Sequence, residues 1–267
     1  MRPLDELLNL SGRRALITGG AGQLAEAAAE SLLEAGASVT LLDIDEGRCK
    51  ARAHELSARF DREVPVLGCD LAENEAVLEA IGSVQKTMGG LEIVVHCAGL
   101  VGLTPMEGWA VPFGEQSAEA FEYSMRVNVA SAFTIVQCAR SALVSSGKGS
   151  VILFSSIYGL VGPDPSLYEG TDLENPVAYG AAKGAIRQLT RYLATTLAPA
   201  VRVNSISPGG VLRDQDERFV QRYSARTPLG RMAGAEDVKG AVAFLASDLS
   251  EYVTGHDLVV DGGWTAW

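Results

Sequence analysis

The feature that most constrains this chain is an alternation that begins near residue 14. Short apolar runs of strand length take turns with longer segments whose apolar residues recur every three or four positions. Runs without polar alternation suit strands covered on both faces, and the periodic segments suit the helices that cover them. Residues 15–17, 38–42 (finishing at Asp43), 64–69, 91–96, 150–154, 201–206 and 257–261 read as strands. Residues 25–35, 46–60, 73–88, 118–145, 178–197 and 236–247 read as helices, with Gly36 and Gly89-Gly90 as stop signals. Residues 100–117 and 160–177 read as loops, and 208–227 as irregular or weakly helical. Crossovers between parallel strands are right-handed. The pattern therefore predicts an α/β fold: one doubly wound parallel sheet with helices on both faces, in a single domain over residues 1–267.

Bulk properties narrow the function classes. With 267 residues, 47% apolar, the chain is long enough for one large core. A formal charge of -11 argues against nucleic-acid phosphate or an anionic membrane as the main partner. Cys49, Cys69, Cys97 and Cys138 form no CxxC pair and no zinc-ligand grouping. No metal is therefore expected, and a reducing, cytoplasmic setting is the simpler reading. Residues 1–10 lack an apolar run of signal-peptide length, and no stretch reaches the roughly eighteen apolar residues of a bilayer span.

Three local patterns carry chemistry. Tyr179 and Lys183, four residues apart on a predicted helix, project from one face, where the ammonium favours the tyrosinate and makes Tyr179 a candidate general acid/base. Alone, such a pair is a common solvated helix face. The second pattern is the glycine-rich turn of residues 18–25, after a strand and before a helix, whose backbone N–H groups and helix dipole suit a pyrophosphate. Its plain alternative is a tight turn that needs positive φ. Third, Asp43 ends the next strand, where a carboxylate accepts hydrogen bonds from an adenosine ribose diol and repels a 2′-phosphate, favouring NAD over NADP.

Taken in order, residues 18–25, Asp70-Leu71, Cys97-Ala98-Gly99, Asn128, Ser156, Tyr179 with Lys183, and Pro208-Gly209 resemble the short-chain dehydrogenase/reductase family. The resemblance covers nearly the whole chain. It implies a Rossmann-type NAD-binding catalytic domain, with Tyr179 as proton donor or acceptor and Lys183 lowering its pKa and bonding the nicotinamide ribose. Ser156, preferred over Ser155, would hydrogen-bond the reacting oxygen, and Asn128 would anchor a water in the proton path. Cofactor contacts would come from Gly19, Gly22, Gln23, Leu24, Asp43, Asp70, Leu71, Cys97, Ala98, Gly99, Tyr179, Lys183, Pro208, Gly209 and Val211.

The chain departs from the family's pattern at several points. Gln23 and Ala25 stand where glycine is usual, Cys97 replaces an asparagine, and Arg213 replaces a threonine that often bonds the nicotinamide amide. Residues 160–177 make an unusually long, polar, turn-rich approach to Tyr179. With the ending Trp264-Thr265-Ala266-Trp267, this is similar to members acting on sugars, sugar acids and polyols, including gluconate-type and nonulosonic-acid-pathway enzymes. Tyr158, Tyr168 and Arg213 are the candidate substrate residues, Arg213 (or Arg126) for a carboxylate or sulfonate. The expectation is thus an NAD-dependent oxidoreductase acting on CH–OH groups of a carbohydrate-like small molecule. An acyl-carrier 3-oxoacyl-thioester reductase and a silent nucleotide-binding scaffold are the alternatives. The resemblance also implies a homotetramer, with Trp264 and Trp267 buried at a subunit interface or near a neighbouring site.

Overall fold

The structure, a computed structural model, describes residues 1–101 and 104–267. Gly102 and Leu103, within the loop expected over 100–117, lie outside the described residues. In chain order the elements are α1 (Leu4–Leu8), β1 (Arg14–Thr18), α2 (Gln23–Glu34), β2 (Ser38–Asp43), α3 (Glu46–Phe60), β3 (Val66–Gly68), α4 (Asn74–Met88) and β4 (Ile93–His96). There follow α5 (Ala118–Met125), a π turn (Arg126–Ala130), α6 (Ser131–Ser145), β5 (Gly149–Phe154), α7 (Val177–Leu197), β6 (Val201–Pro208), α8 (Glu217–Arg226), α9 (Lys239–Ala246) and β7 (Asp257–Val260).

The strands form one parallel seven-stranded sheet in the order β3-β2-β1-β4-β5-β6-β7, the Rossmann-like arrangement that the alternation predicts. Alternate residues feed opposite faces. Ala15, Ile17, Val39 and Leu41 pack with α2, α3 and α9 on one side, and Leu16, Val94, Val151 and Leu153 with α4, α6 and α7 on the other. The chain builds outward from β1 to β3, then returns to start β4 on the other flank of β1. Such a reversal leaves a crevice at the carboxyl ends of β1 and β4, where open α/β sheets bind ligands.

Several boundaries differ from the sequence reading. β3 is shorter than residues 64–69, because Pro65 has no N–H to give a ladder. Within residues 208–227, which read as irregular or weakly helical, α8 is a regular helix, its start capped by Asp216 accepting the Arg218 N–H at 2.8 Å. The long helix over Ala118–Ser145 is interrupted by the π turn. Contrary to expectation, this helix does reach the length and hydropathy of a bilayer span, with a mean hydropathy of 1.3 over an 18-residue window. Its residues Ala132, Ile135, Val136, Ala139 and Leu143 instead cover the sheet.

Candidate active site

A cavity of about 980 Å3 opens at the crevice between β1 and β4. With the exceptions of Asn128 and Arg126, every candidate site residue named above borders it. Arg126 is exposed and does not border it, so of the two arginines considered for a substrate anion only Arg213 is in place.

One end is built by the glycine turn. Gly19 has φ 71°, and a Cβ there would come within 2.8 Å of Ala98 Cα and N, so only glycine lets the turn lie against the end of β4. Gly20 N–H donates to Leu42 O at 3.0 Å and Ala21 N–H to Asp43 Oδ2 at 3.0 Å. Asp43 Oδ1 in turn accepts the Asp45 N–H at 2.9 Å. The carboxylate is thus fixed by two backbone amides, with lone pairs left for a ligand. Gln23, beside the turn, extends its Nε2 toward Leu212 O at 3.5 Å, while its buried Oε1 has no partner among the described residues. Gly99 lies against Asn128: a Cβ there would meet Asn128 Oδ1 at 2.6 Å and Lys183 Nζ at 3.5 Å. A helix N-terminus, a tethered carboxylate, an orphaned amide oxygen and a floor kept open by glycine together fit a dinucleotide.

The other end holds the reacting groups. Ser156 caps a short turn, its Oγ accepting the Tyr158 N–H at 3.2 Å, and stands at the cavity wall. Ser155 also borders the cavity, but its hydroxyl is engaged, donating to the Lys183 carbonyl at 2.8 Å. Their partners separate the two serines: the Ser156 hydroxyl bonds toward Tyr179 and the Ser155 hydroxyl anchors α7. Gly159 closes the same turn so tightly on α7 that a Cβ would lie 2.7 Å from Lys183 C and O. Arg187, one helical turn beyond Lys183, donates to Gly159 O at 3.1 Å and pairs with Asp257 at 2.8 Å, tying the turn to β7.

Lys183 is buried, with Nζ 2.9 Å from Phe154 O and 5.7 Å from the Tyr179 ring centre. Burial lowers its pKa to about 8. Burial also raises the pKa of the Tyr179 phenol, opposed by the Ser156 hydroxyl and the Arg213 charge. The i, i+4 spacing assigns that opposition to Lys183. Lys183 Nζ, 5.7 Å from the ring centre, is bonded to the main chain at Phe154 O. Asn128 sits in the π turn behind the cavity, its Oδ1 accepting the Leu100 N–H at 2.7 Å and its Nδ2 donating to Ser124 Oγ at 3.0 Å. Cys97 borders the cavity as a neutral thiol, its pKa pushed well up by burial.

The long approach to Tyr179 is not a solvated excursion. Asp164 pairs with Arg226 at 2.5 Å, and Arg222 donates to Glu169 O at 2.5 Å, so two arginines of α8 clamp it. Tyr168 turns inward, its hydroxyl 2.8 Å from that of Tyr158 and accepting from Asn175 Nδ2 at 3.1 Å. With Phe219, Tyr223 and Met232 these tyrosines form an aromatic wall, broken by Asp172, Glu174, Asn175 and Gln215. The sequence reading missed Phe219 and Tyr223, although their i, i+4 spacing on one face of α8 is the signal that finds them.

Comparison with known proteins places the chain in a family. The family model described as Enoyl-(Acyl carrier protein) reductase matches residues 19–265. A tropinone reductase homologue of Arabidopsis thaliana is 35% identical, covering 96% of this chain and 91% of its own. A short-chain dehydrogenase from Leptospira borgpetersenii, solved with bound NAD+, superposes with a TM-score of 0.82 at 31% identity, over 99% of this chain and 96% of that one. A gluconate 5-dehydrogenase from Burkholderia cenocepacia, solved with NADP and tartrate, gives 0.85 at 26% identity, over 99% and 100%. The chain therefore belongs to the short-chain dehydrogenase/reductase family, whose members are nicotinamide-dependent oxidoreductases of alcohol and ketone groups.

Proposed function

We propose that this protein is an NAD-dependent oxidoreductase acting on a hydroxyl or carbonyl of a sugar, sugar acid or polyol. The observation that carries the reading is the single cavity that joins the tethered Asp43 carboxylate to Ser156, Tyr179 and Lys183. A bound nicotinamide supplies the hydride acceptor or donor. Asp43, with Asp45 on the same rim, accepts from a ribose diol and repels a 2′-phosphate. At the reacting end Ser156 hydrogen-bonds the substrate oxygen as its charge changes, and Tyr179 gives or takes the proton on that oxygen. Lys183 and the ordered turn around Asn128 keep Tyr179 supplied with protons.

The substrate class rests on the wall. Aromatic faces interrupted by a few fixed polar groups suit a compact ligand whose hydroxyls must be individually satisfied. The Arg213 guanidinium borders the cavity and its charge reaches Tyr179. It is the group we assign to a carboxylate or sulfonate on the substrate.

The test is NAD and NADP reduction, followed by absorbance, across neutral aldoses, polyols, sugar acids and sulfosugars. Tyr179→Phe is expected to lose about 10²–10⁴ of turnover while still binding NAD. Arg213→Gln is expected to raise KM for anionic substrates and leave that for neutral ones unchanged. Equal change for both removes the anionic assignment, and preference for NADP removes the role of Asp43. Turnover of 3-oxoacyl thioesters alone would favour the acyl-carrier reading, against which the charge of -11 counts. NAD binding with no turnover anywhere would leave a scaffold.

A further inference from the structure

The approach loop brings polar side chains to the reacting end of the cavity with their hydrogen-bonding capacity only partly used. Tyr158 lies in the turn after β5, Tyr168 and Asn175 belong to the loop, and all three border the cavity. The Tyr158 and Tyr168 hydroxyls lie 2.8 Å apart, and Asn175 Nδ2 donates to the Tyr168 hydroxyl at 3.1 Å. Two phenols and a carboxamide carry four N–H and O–H hydrogens between them. Two bonds consume two of these, whichever phenol donates to the other and whichever way the amide is turned. Two hydrogens and at least one oxygen lone pair are left without a protein partner among the described residues. Burial raises the pKa of both phenols, so the count holds at neutral pH.

The trio is held in place from several sides. Tyr168 packs on Phe219 of α8 with ring centres 5.3 Å apart, and Tyr158 stands edge-on to Trp264 at 6.4 Å. The Thr171 hydroxyl donates to Tyr168 O at 2.8 Å and accepts the Leu173 N–H at 3.2 Å, closing the loop between Tyr168 and Asn175. Asn175 precedes Pro176, which disfavours helical backbone there and keeps Asn175 out of α7. On its other side Tyr158 is edge-on to the Tyr179 ring at 6.5 Å, so the trio flanks the phenol at the reacting oxygen. A hydroxyl both donates and accepts, and it matches a spare hydrogen beside a spare lone pair. A ligand lacking that hydroxyl leaves these groups unpaired, which is how such a site rejects it.

We propose that Asn175, with Tyr168 and Tyr158, forms a subsite that reads a second hydroxyl of the substrate, apart from the one that reacts. Asn175 is then the residue that separates polyhydroxylated from simple alcohols. The inference rests on the substrate class proposed above and names the groups that select it.

The test is calorimetric binding of xylitol and of 1,5-pentanediol to the protein saturated with NADH. The two ligands share a five-carbon chain and differ by the three inner hydroxyls. Wild type is expected to bind xylitol about tenfold or more tightly than the diol. N175L is expected to bring the two affinities to within about threefold, and Y168F, which keeps the ring on Phe219 and removes one hydroxyl, to narrow the gap. A wild-type ratio in either variant overturns the proposal. So does a wild type that does not prefer xylitol or does not bind it. So does an N175L that weakens both ligands alike in step with its melting temperature, since that is loop packing alone. Turnover across the panel above is read separately. Turnover without this preference sinks the subsite and leaves the oxidoreductase, and preference without turnover leaves the subsite and sinks the oxidoreductase.

Discussion

At the scale of single residues, Lys183 is where stability and the proposed function pull apart. An ammonium 5% exposed, given one main-chain oxygen, is held at the cost of hydration. Its pKa near 8 lies below the reference value of 10.5, so between those values the unfolded chain binds the extra proton. Stability then rises with pH across that window: the cost is complete below about pH 8 and gone above about 10.5. The swing is on the order of 3 kcal/mol. Lys183→Met removes the titrating group, so urea unfolding of the two proteins is expected to show their stability difference moving in favour of wild type from pH 7 to pH 10. A difference independent of pH would show that the lysine is not buried in its charged form. The sequence marked this residue through its spacing from Tyr179. It could not show that Nζ turns to Phe154 O, because that choice is made by β5, which lies next to α7 only in three dimensions.

Elements explain why the reacting groups converge. The turn after β5 and the start of α7 are pressed together at Gly159, and Ser155 and Arg187 bond across the same junction. Gly159→Ala forces a methyl into the Lys183 carbonyl, an overpacking expected to cost about 1–3 kcal/mol. Because the turn also carries Ser156, kcat is expected to fall further than stability alone accounts for. Thermal unfolding and steady-state kinetics of Gly159→Ala check this, and unchanged values in both would show that the junction has room. The strand–helix alternation, the glycine turn and the sheet class were legible because each is written in local periodicity or turn chemistry. The π turn was not, since the apolar period runs unbroken through residues 118–145 while one extra residue is absorbed in the backbone. The approach loop read as polar because Asp164, Glu169 and Asp172 dominate its composition. Its inward residues Leu167, Tyr168 and Leu173 declare themselves only against Phe219 of α8.

For the whole molecule, the C-terminal turn backs the aromatic wall of the cavity. The sequence reading has both terminal tryptophans covered by a neighbouring subunit or site. Trp264 instead is buried within its own chain, stacked on Tyr223 at 5.9 Å, edge-on to Tyr158 at 6.4 Å and covered by the Arg226 guanidinium at 5.0 Å. Arg226 also pairs with Asp164, so the C-terminal turn, α8 and the approach loop share one junction. Trp267 is 77% exposed and remains the residue for a subunit contact, along with Phe133 on α6 and Tyr192 on α7. We infer that the protein assembles as a homotetramer through such surfaces, which makes two separable outcomes. Deleting residues 264–267 exposes the wall from behind and is expected to destabilise each protomer by about 3–5 kcal/mol, the usual cost of losing a buried tryptophan, and to raise KM. Trp267→Ala is expected to leave the melting temperature of a protomer and KM unchanged while shifting sedimentation toward smaller species. If Trp267→Ala sediments as wild type does, the last residue lies outside the assembly. If the deletion leaves KM intact, Trp264 does not support the wall.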